Sequence, residues 1–206
     1  LTLPEFFLLA LQGPKSLKTI ENFIGDSKLI PEKPNDISQF EFNKKTALAI
    51  NKFLTGEEGC VMAFPVKMKD AIAQKLEEAE KQHLVVKTEP HTREVLRIES
   101  GIPTYGIDMD EKNILPETGL EHSSVSYNKG CYIGQEVIAR IKTYGAPNFA
   151  LMGLIIEGDT LPIMDSEIKL ETKKIGIIKS SIFSYNLQKN ISLAYIQKDH
   201  RSPDVD

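Results

Sequence analysis

Lys129-Gly130-Cys131-Tyr132-Ile133-Gly134-Gln135-Glu136 is the stretch on which the reading of this chain turns, and it runs directly into an amphipathic segment, Val137 to Tyr144. Two glycines bracketing a cysteine give a turn able to adopt positive φ and to bring backbone close to a ligand. The segment after Gly134 reads as helix. That places Cys131 near a helix N-terminus and two residues from Lys129, surroundings that favour a thiolate. The spacing is equally compatible with a cysteine that is simply a small buried hydrophobe. Lys129 can pair with an anionic ligand group or raise the thiolate fraction of Cys131. Gln135 and Glu136, in the first helical turn, can bind a ligand or cap the helix. Arg140 follows Glu136 by four residues, so an i,i+4 ion pair is the plain alternative to ligand binding for both. Tyr132 and Tyr144 either line a pocket or pack.

Around this motif lies an ordinary globular composition: 206 residues, 41% hydrophobic and 26% charged, enough for one large or two modest domains. Twenty-five Lys and Arg against 29 Asp and Glu leave a net charge of −4, which argues against direct nucleic-acid binding and for a small-molecule or protein partner. The longest uncharged apolar run, Phe149 to Ile156, is eight residues, against about 20 for a membrane-spanning helix. Two cysteines make no disulfide framework and suggest a reducing compartment, the cytoplasm or, in a eukaryote, the mitochondrial matrix. His83, His91, His122 and His200 are scattered, and two cysteines cannot supply a four-cysteine site, so no metal is predicted. P-loop, dinucleotide and nucleophile-elbow motifs are absent from the sequence.

Upstream, Phe6 to Leu11 is an apolar run stopped by Gly13-Pro14, after which Leu17, Ile20 and Ile24 recur at helical spacing. Pro31, Pro34 and Asn35-Asp36 mark a loop. Ile37–Phe42 and Thr46–Ile50 alternate at period two around Asn43-Lys44-Lys45, as a hairpin does. Cys60 to Phe64 predicts a further strand, and Met68, Ile72, Leu76 and Ala79 share one face of a helix reaching about Gln82. Leu84 to Val86 is expected as a last strand, completing a ferredoxin-like α+β domain over 1–90. Residues 91–147 form a motif-rich connector with a short helix at Thr92 to Ile98. From 148 to 206 short β runs (Phe149–Ile156, Glu167–Leu170, Lys174–Lys179, Ile191–Ile196) predict a small β-barrel, followed by a frayed tail from Asp199.

Five stretches together carry a family resemblance. K-G-C-Y-x-G-Q-E at 129–136 resembles the signature of the YgfZ-type folate-binding proteins, which assist maturation or repair of iron-sulfur enzymes and are relatives of aminomethyltransferase, the T-protein of the glycine cleavage system. Gln12-Gly13-Pro14-Lys15 resembles the entry to the T-protein's second domain. Leu54-Thr55-Gly56-Glu57-Glu58-Gly59 is similar to the T-G-E-D/E-G loop whose first glutamate reaches the pterin of tetrahydrofolate. Arg93 to Pro103 with Tyr105-Gly106-Ile107-Asp108 resembles the family's R-x-x-L-R-x-E-x-G-x-P-x-x-G segment, and Pro116-Glu117 resembles a further element.

The resemblance implies tetrahydrofolate or a derivative as cofactor, and Cys131 as a reactive thiol. It gives Glu57, Arg93, Tyr105, Lys129, Gln135, Glu136 and Arg140 as folate-binding candidates. Chemistry supports Glu57 separately, because a 2-amino-4-oxopyrimidine edge offers two adjacent N–H donors that one carboxylate accepts together; a solvated acidic turn is the plainer reading. Arg97 with Glu99 is expected as an internal ion pair locking the connector. The implied fold is three lobes around a central folate pocket, with an N-terminal part of the family fold, including the T-protein's catalytic aspartate, outside this chain. The implied function is an accessory role toward iron-sulfur client proteins. An aminomethyltransferase or other one-carbon transferase is the second reading, and a non-catalytic scaffold the third.

Overall fold

A computed structural model of the chain describes residues 5–25 and 30–201, without the side chains of Phe23, Ile24 and Tyr144. The expectations for Ile24 on the first helix, for Tyr144 at a pocket and for 202–206 of the tail lie outside the described residues. The chain divides into two compact units, Leu1–Arg93 and Glu94–Asp206.

In the first unit the apolar run and its Gly-Pro stop become strand β1 (Phe6–Gln12) and helix α1 (Ser16–Ile24). The alternating hairpin is β2 (Ile37–Phe42) and β3 (Lys45–Asn51), followed by β4 (Gly59–Pro65). Helix α2 (Lys69–Lys81) follows a 3-10 turn at Val66–Met68. The strands form one antiparallel sheet in the order β1-β4-β3-β2. Strand alternation puts Cys60, Met62 and Phe64 of the central β4 on the face that also carries Ala47, Ala49, Phe40 and Phe42. Ile20 of α1 and Met68 and Ile72 at α2 close over them to make a buried core. Helix amphipathicity and strand period therefore agree on one core.

The α+β class holds, with a different element order from the ferredoxin-like one. No strand forms at Leu84–Val86, where Leu84 and Val86 are exposed. The reason is the end of α2. His83 takes a left-handed φ of 57°, its N–H bonds the Glu80 carbonyl at 2.9 Å, and the Leu84 N–H bonds the Ala79 carbonyl at 3.0 Å. This double closure of a helix C-terminus uses the Leu84 donor that a strand would need.

In the second unit helix α3 (Pro90–Glu99), which begins just before the unit boundary, is followed by a 3-10 turn at Leu115–Glu117, a short helix α4 (Glu121–Ser124) and helix α5 (Gln135–Tyr144). Then come β5 (Phe149–Ile156), β6 (Glu167–Leu170), β7 (Lys173–Ser184) and β8 (Lys189–Gln197). They pair antiparallel in the order β5-β8-β7-β6. The expected C-terminal β unit is present as an open sheet: among the described residues no barrel closes. Four strands, one of them only four residues long, enclose too little interior for closure. Val95 and Ile98 of α3 instead cover one face, against Ile182, Ile191 and Leu193. Thus the segment expected as a connector and the C-terminal strands share a core.

A bulge in β7 decides what that core contains. Pairing shifts between Ile178 and Ser180, so Ile178 joins Ala194 and Ile196 on one face while Ser180, opposite Leu193, turns to the α3 side. An inserted residue of this kind re-aims the side chains after it. Here it aims a hydroxyl into the neighbourhood of Arg97.

Tyr195 on β8 is 6% exposed, and its hydroxyl has no hydrogen-bond partner among the described residues. Burial first, then the carboxylates of Glu117, Asp108 and Asp110, push its phenol up to about 12. Because the folded value lies above the unfolded value of about 10, the neutral phenol's contribution is complete below that pH and is lost as pH rises through the folded value. We expect an alkaline loss of stability between these limits that Tyr195→Phe diminishes, read by absorbance-monitored pH titration of both proteins; identical alkaline profiles would contradict it.

Candidate functional site

The loop that carries Glu57 joins β3 to β4, and the β1–α1 turn holds it. Gln12, the last residue of β1, sends its amide N–H to the Lys52 carbonyl at 2.9 Å and accepts the Leu54 N–H at 2.7 Å. On the other side of the loop the Glu58 carbonyl accepts from the Gly13 N–H at 2.8 Å and from the Ser16 hydroxyl at 2.9 Å. Lys52 N–H closes on the Gly59 carbonyl at 3.3 Å. Thr55 is buried while Gly56, Glu57 and Glu58 face outward. An exposed carboxylate on a loop fixed at both feet is suited to accept two parallel N–H donors from a ligand edge.

The 129–136 motif lies in the second unit. Gly134 takes a left-handed φ of 89° at the start of α5, the conformation that only glycine adopts without strain; Gly130 does not use this freedom. The Gln135 N–H bonds the Tyr132 carbonyl at 3.2 Å, and the Tyr132 N–H returns to the Gln135 side chain at 3.3 Å. Gln135 thus closes the turn ahead of α5, and no side chain caps the helix itself. Cys131 is exposed, whereas Cys60 is the buried cysteine, and desolvation pushes the Cys60 thiol up. Lys129 Nζ lies 4.9 Å from the centre of the Tyr132 ring, a cation–π contact. Tyr127 donates to Glu121 and its ring meets Lys142 Nζ at 3.4 Å. Glu136 and Arg140 are exposed, and the ion pair expected between them is not formed among the described residues.

Residues 3–129, more than half of the chain, match the family described as the GCVT N-terminal domain. The chain belongs to that family. It is similar to aminomethyltransferases of Caldanaerobacter subterraneus subsp. tengcongensis, 30% identical over 198 residues covering 93% of this chain and 51% of the relative, and of Halalkalibacterium halodurans, 32% identical over 199 residues covering 93% and 52%. A crystal structure of the glycine cleavage system aminomethyltransferase T from Bartonella henselae superposes with a TM-score of 0.76 at 23% identity, over 94% of this chain and 52% of that one. The fold is therefore of the same kind. The chain spans about half the length of the curated relatives it matches.

Within this GCVT-family chain, Arg93 is exposed on α3, and Tyr105, 66% exposed, reaches Glu111 at 3.4 Å through its hydroxyl. Arg97 does lock the segment, with other partners than Glu99. Its buried guanidinium bonds Glu94 at 2.7 Å, Asp108 at 2.8 Å, the Ile102 carbonyl at 3.1 Å and Ser180 at 3.0 Å. Asp108, fully buried, also accepts from the Thr104 N–H at 2.8 Å and from Ser180. Glu99 accepts from Ser184 instead. On α3 the side chain of Glu99 lies two positions, about 200°, round the helix from Arg97, whereas Glu94 lies on the adjoining turn.

Gln12, Ser16, Asp108 and Ser180 are the structural supports that reading the sequence left without a role. Gln12 and Asp108 stand inside the quoted motifs, which was their available signal; Ser16 and Ser180 have none. An open cleft lined by Ile156, Glu157, Asp159, Phe183, Lys189 and Asn190 contains none of the predicted site residues. Among the described residues no group of three or more His, Cys, Asp and Glu side chains is placed to hold a metal ion, and no helix is long and apolar enough to cross a membrane.

Proposed function

We propose that this protein binds tetrahydrofolate or a derivative, with Glu57 accepting the two N–H donors of the pterin edge, and that it acts as a YgfZ-type accessory protein to iron-sulfur client enzymes through Cys131. The observation that carries the reading is the exposed thiol of Cys131 on a turn built by the motif's own residues, Gly134 and Gln135. A cysteine retained merely for packing would be buried, as Cys60 is. The anchored Glu57 loop supports the folate half of the proposal. Arg93, Tyr105, Lys129, Glu136 and Arg140 are proposed as further folate contacts through their polar groups, and Gln135 acts by shaping the turn.

A second reading, transfer of an aminomethyl-derived carbon unit to tetrahydrofolate, is favoured by the names of the curated relatives. Calorimetric titration with 5-formyltetrahydrofolate tests what the two readings share. Glu57→Ala should lose about tenfold in affinity, roughly 1.4 kcal/mol, and unchanged binding would remove the pterin assignment. The readings then separate at Cys131. The accessory role predicts that Cys131→Ala keeps folate binding and loses support of iron-sulfur enzyme activity in cells. A transferase predicts turnover with an aminomethylated carrier protein that Cys131→Ala leaves intact.

A further inference from the structure

Where Glu57 points depends on the backbone of its loop, and one side chain bridges two positions of that backbone. The amide of Gln12 has a carbonyl to donate to, at Lys52, and an N–H to accept from, at Leu54. These two complementary partners fix its orientation and hold the ascending side of the loop. The descending side is held at the Glu58 carbonyl, the residue next to Glu57, by Gly13 and Ser16. We propose that Gln12 is a positioning residue for the ligand site, fixing the Lys52–Gly59 loop so that the Glu57 carboxylate is presented ready to receive the pterin edge. This rests on the folate reading above. A carboxylate on a free loop would lose its conformational freedom when the ligand binds, whereas one on a fixed loop has already lost it on folding.

Gly59 supplies an independent sign that the amide belongs where it is. A Cβ built there would lie 2.2 Å from Nε2, 2.3 Å from Cδ and 2.5 Å from Oε1 of Gln12. Only a glycine leaves room for the amide. The obstacle is the far end of a flexible side chain and not backbone, so Gly59→Ala displaces the amide while β4 keeps its register.

Two variants therefore test one arrangement by different routes: Gln12→Leu removes the amide, and Gly59→Ala expels it. Each is titrated with 5-formyltetrahydrofolate alone and in the Glu57→Ala background. We expect each single variant to bind about tenfold more weakly, as for a lost pair of hydrogen bonds ordering a charged contact. Neither should weaken binding further once Glu57 is alanine, since residues acting through one another are not additive. A merely structural role would lower affinity in both backgrounds. Unchanged affinity in Gln12→Leu and Gly59→Ala, or equal losses with and without Glu57, overturns the proposal while leaving the folate reading standing. Unchanged affinity in Glu57→Ala itself overturns both. Should Gln12→Leu fail to fold, Gly59→Ala alone decides.

Discussion

Asp108→Ala loses about 3 kcal/mol of folding free energy, because it takes the fully buried one of two carboxylates from the buried guanidinium of Arg97 and leaves Glu94 as its remaining counter-charge. Arg97 and Asp108 have side-chain exposures of 5% and 0%, so neither can turn to water when its partner goes. The substitution also removes the acceptor of the Thr104 N–H and of the Ser180 hydroxyl. Against a total stability of roughly 5–15 kcal/mol, that loss moves the urea midpoint of the second unit far down or leaves the protein insoluble. Arg97→Met should be as harmful for the complementary reason, a buried carboxylate left without its cation. The informative protein is the double variant, Arg97→Met/Asp108→Leu. Replacing both charges with apolar groups of similar size is often neutral or better, so the double variant should be more stable than either single one, with a coupling of about 2 kcal/mol or more. Losses below about 1 kcal/mol in both single variants, as for an ordinary exposed pair, would show that the cluster is not the lock of this segment.

That cluster marks the boundary of what could be read in the sequence. Local pattern was sufficient for α3, for the hairpin of β2 and β3 and for the helix after Gly134, since each is set by periodicity and by residues at its own ends. It failed at Leu84–Val86, where three apolar residues suggested a strand while a helix C-terminus had already taken the Leu84 donor. It also failed at Arg97. Glu99 was its neighbour in sequence, but Asp108 and Ser180 became its partners through a turn and a β-bulge that have no counterpart in local spacing. The site shows the same division. Glu57 and Cys131 stand in motifs and could be named, whereas the hold of Gln12 on Lys52 and Leu54 spans about forty positions and follows from β1 lying beside β4. The barrel expectation failed for a related reason: strand spacing announces strands, but closure depends on which edges meet.

Phe64→Ala is the second large loss, about 3–5 kcal/mol, and it bears on function through the sheet. Phe64 is fully buried near the end of the central strand β4, with the rings of Phe7, Phe40 and Phe42 at 5.8, 5.9 and 5.6 Å. Truncation would open a cavity among three aromatic neighbours drawn from β1 and β2, too rigid to collapse into it. Phe64→Leu, which keeps much of the volume, should lose clearly less. Leu8→Ala on the opposite face, where Leu8 is 69% exposed, should stay within about 0.5 kcal/mol. Urea denaturation of the three variants checks the order, and a Phe64→Ala loss no larger than that of Leu8→Ala would misplace the core. The β3 and β4 ends carry the Glu57 loop, yet Phe64 lies at the far end of β4 from Gly59. Its truncation should therefore lower folate affinity only in proportion to the fraction of molecules it unfolds. Gln12→Leu, by contrast, should lower affinity in molecules that remain folded, so plotting affinity against stability separates a residue that holds the sheet from one that aims the carboxylate.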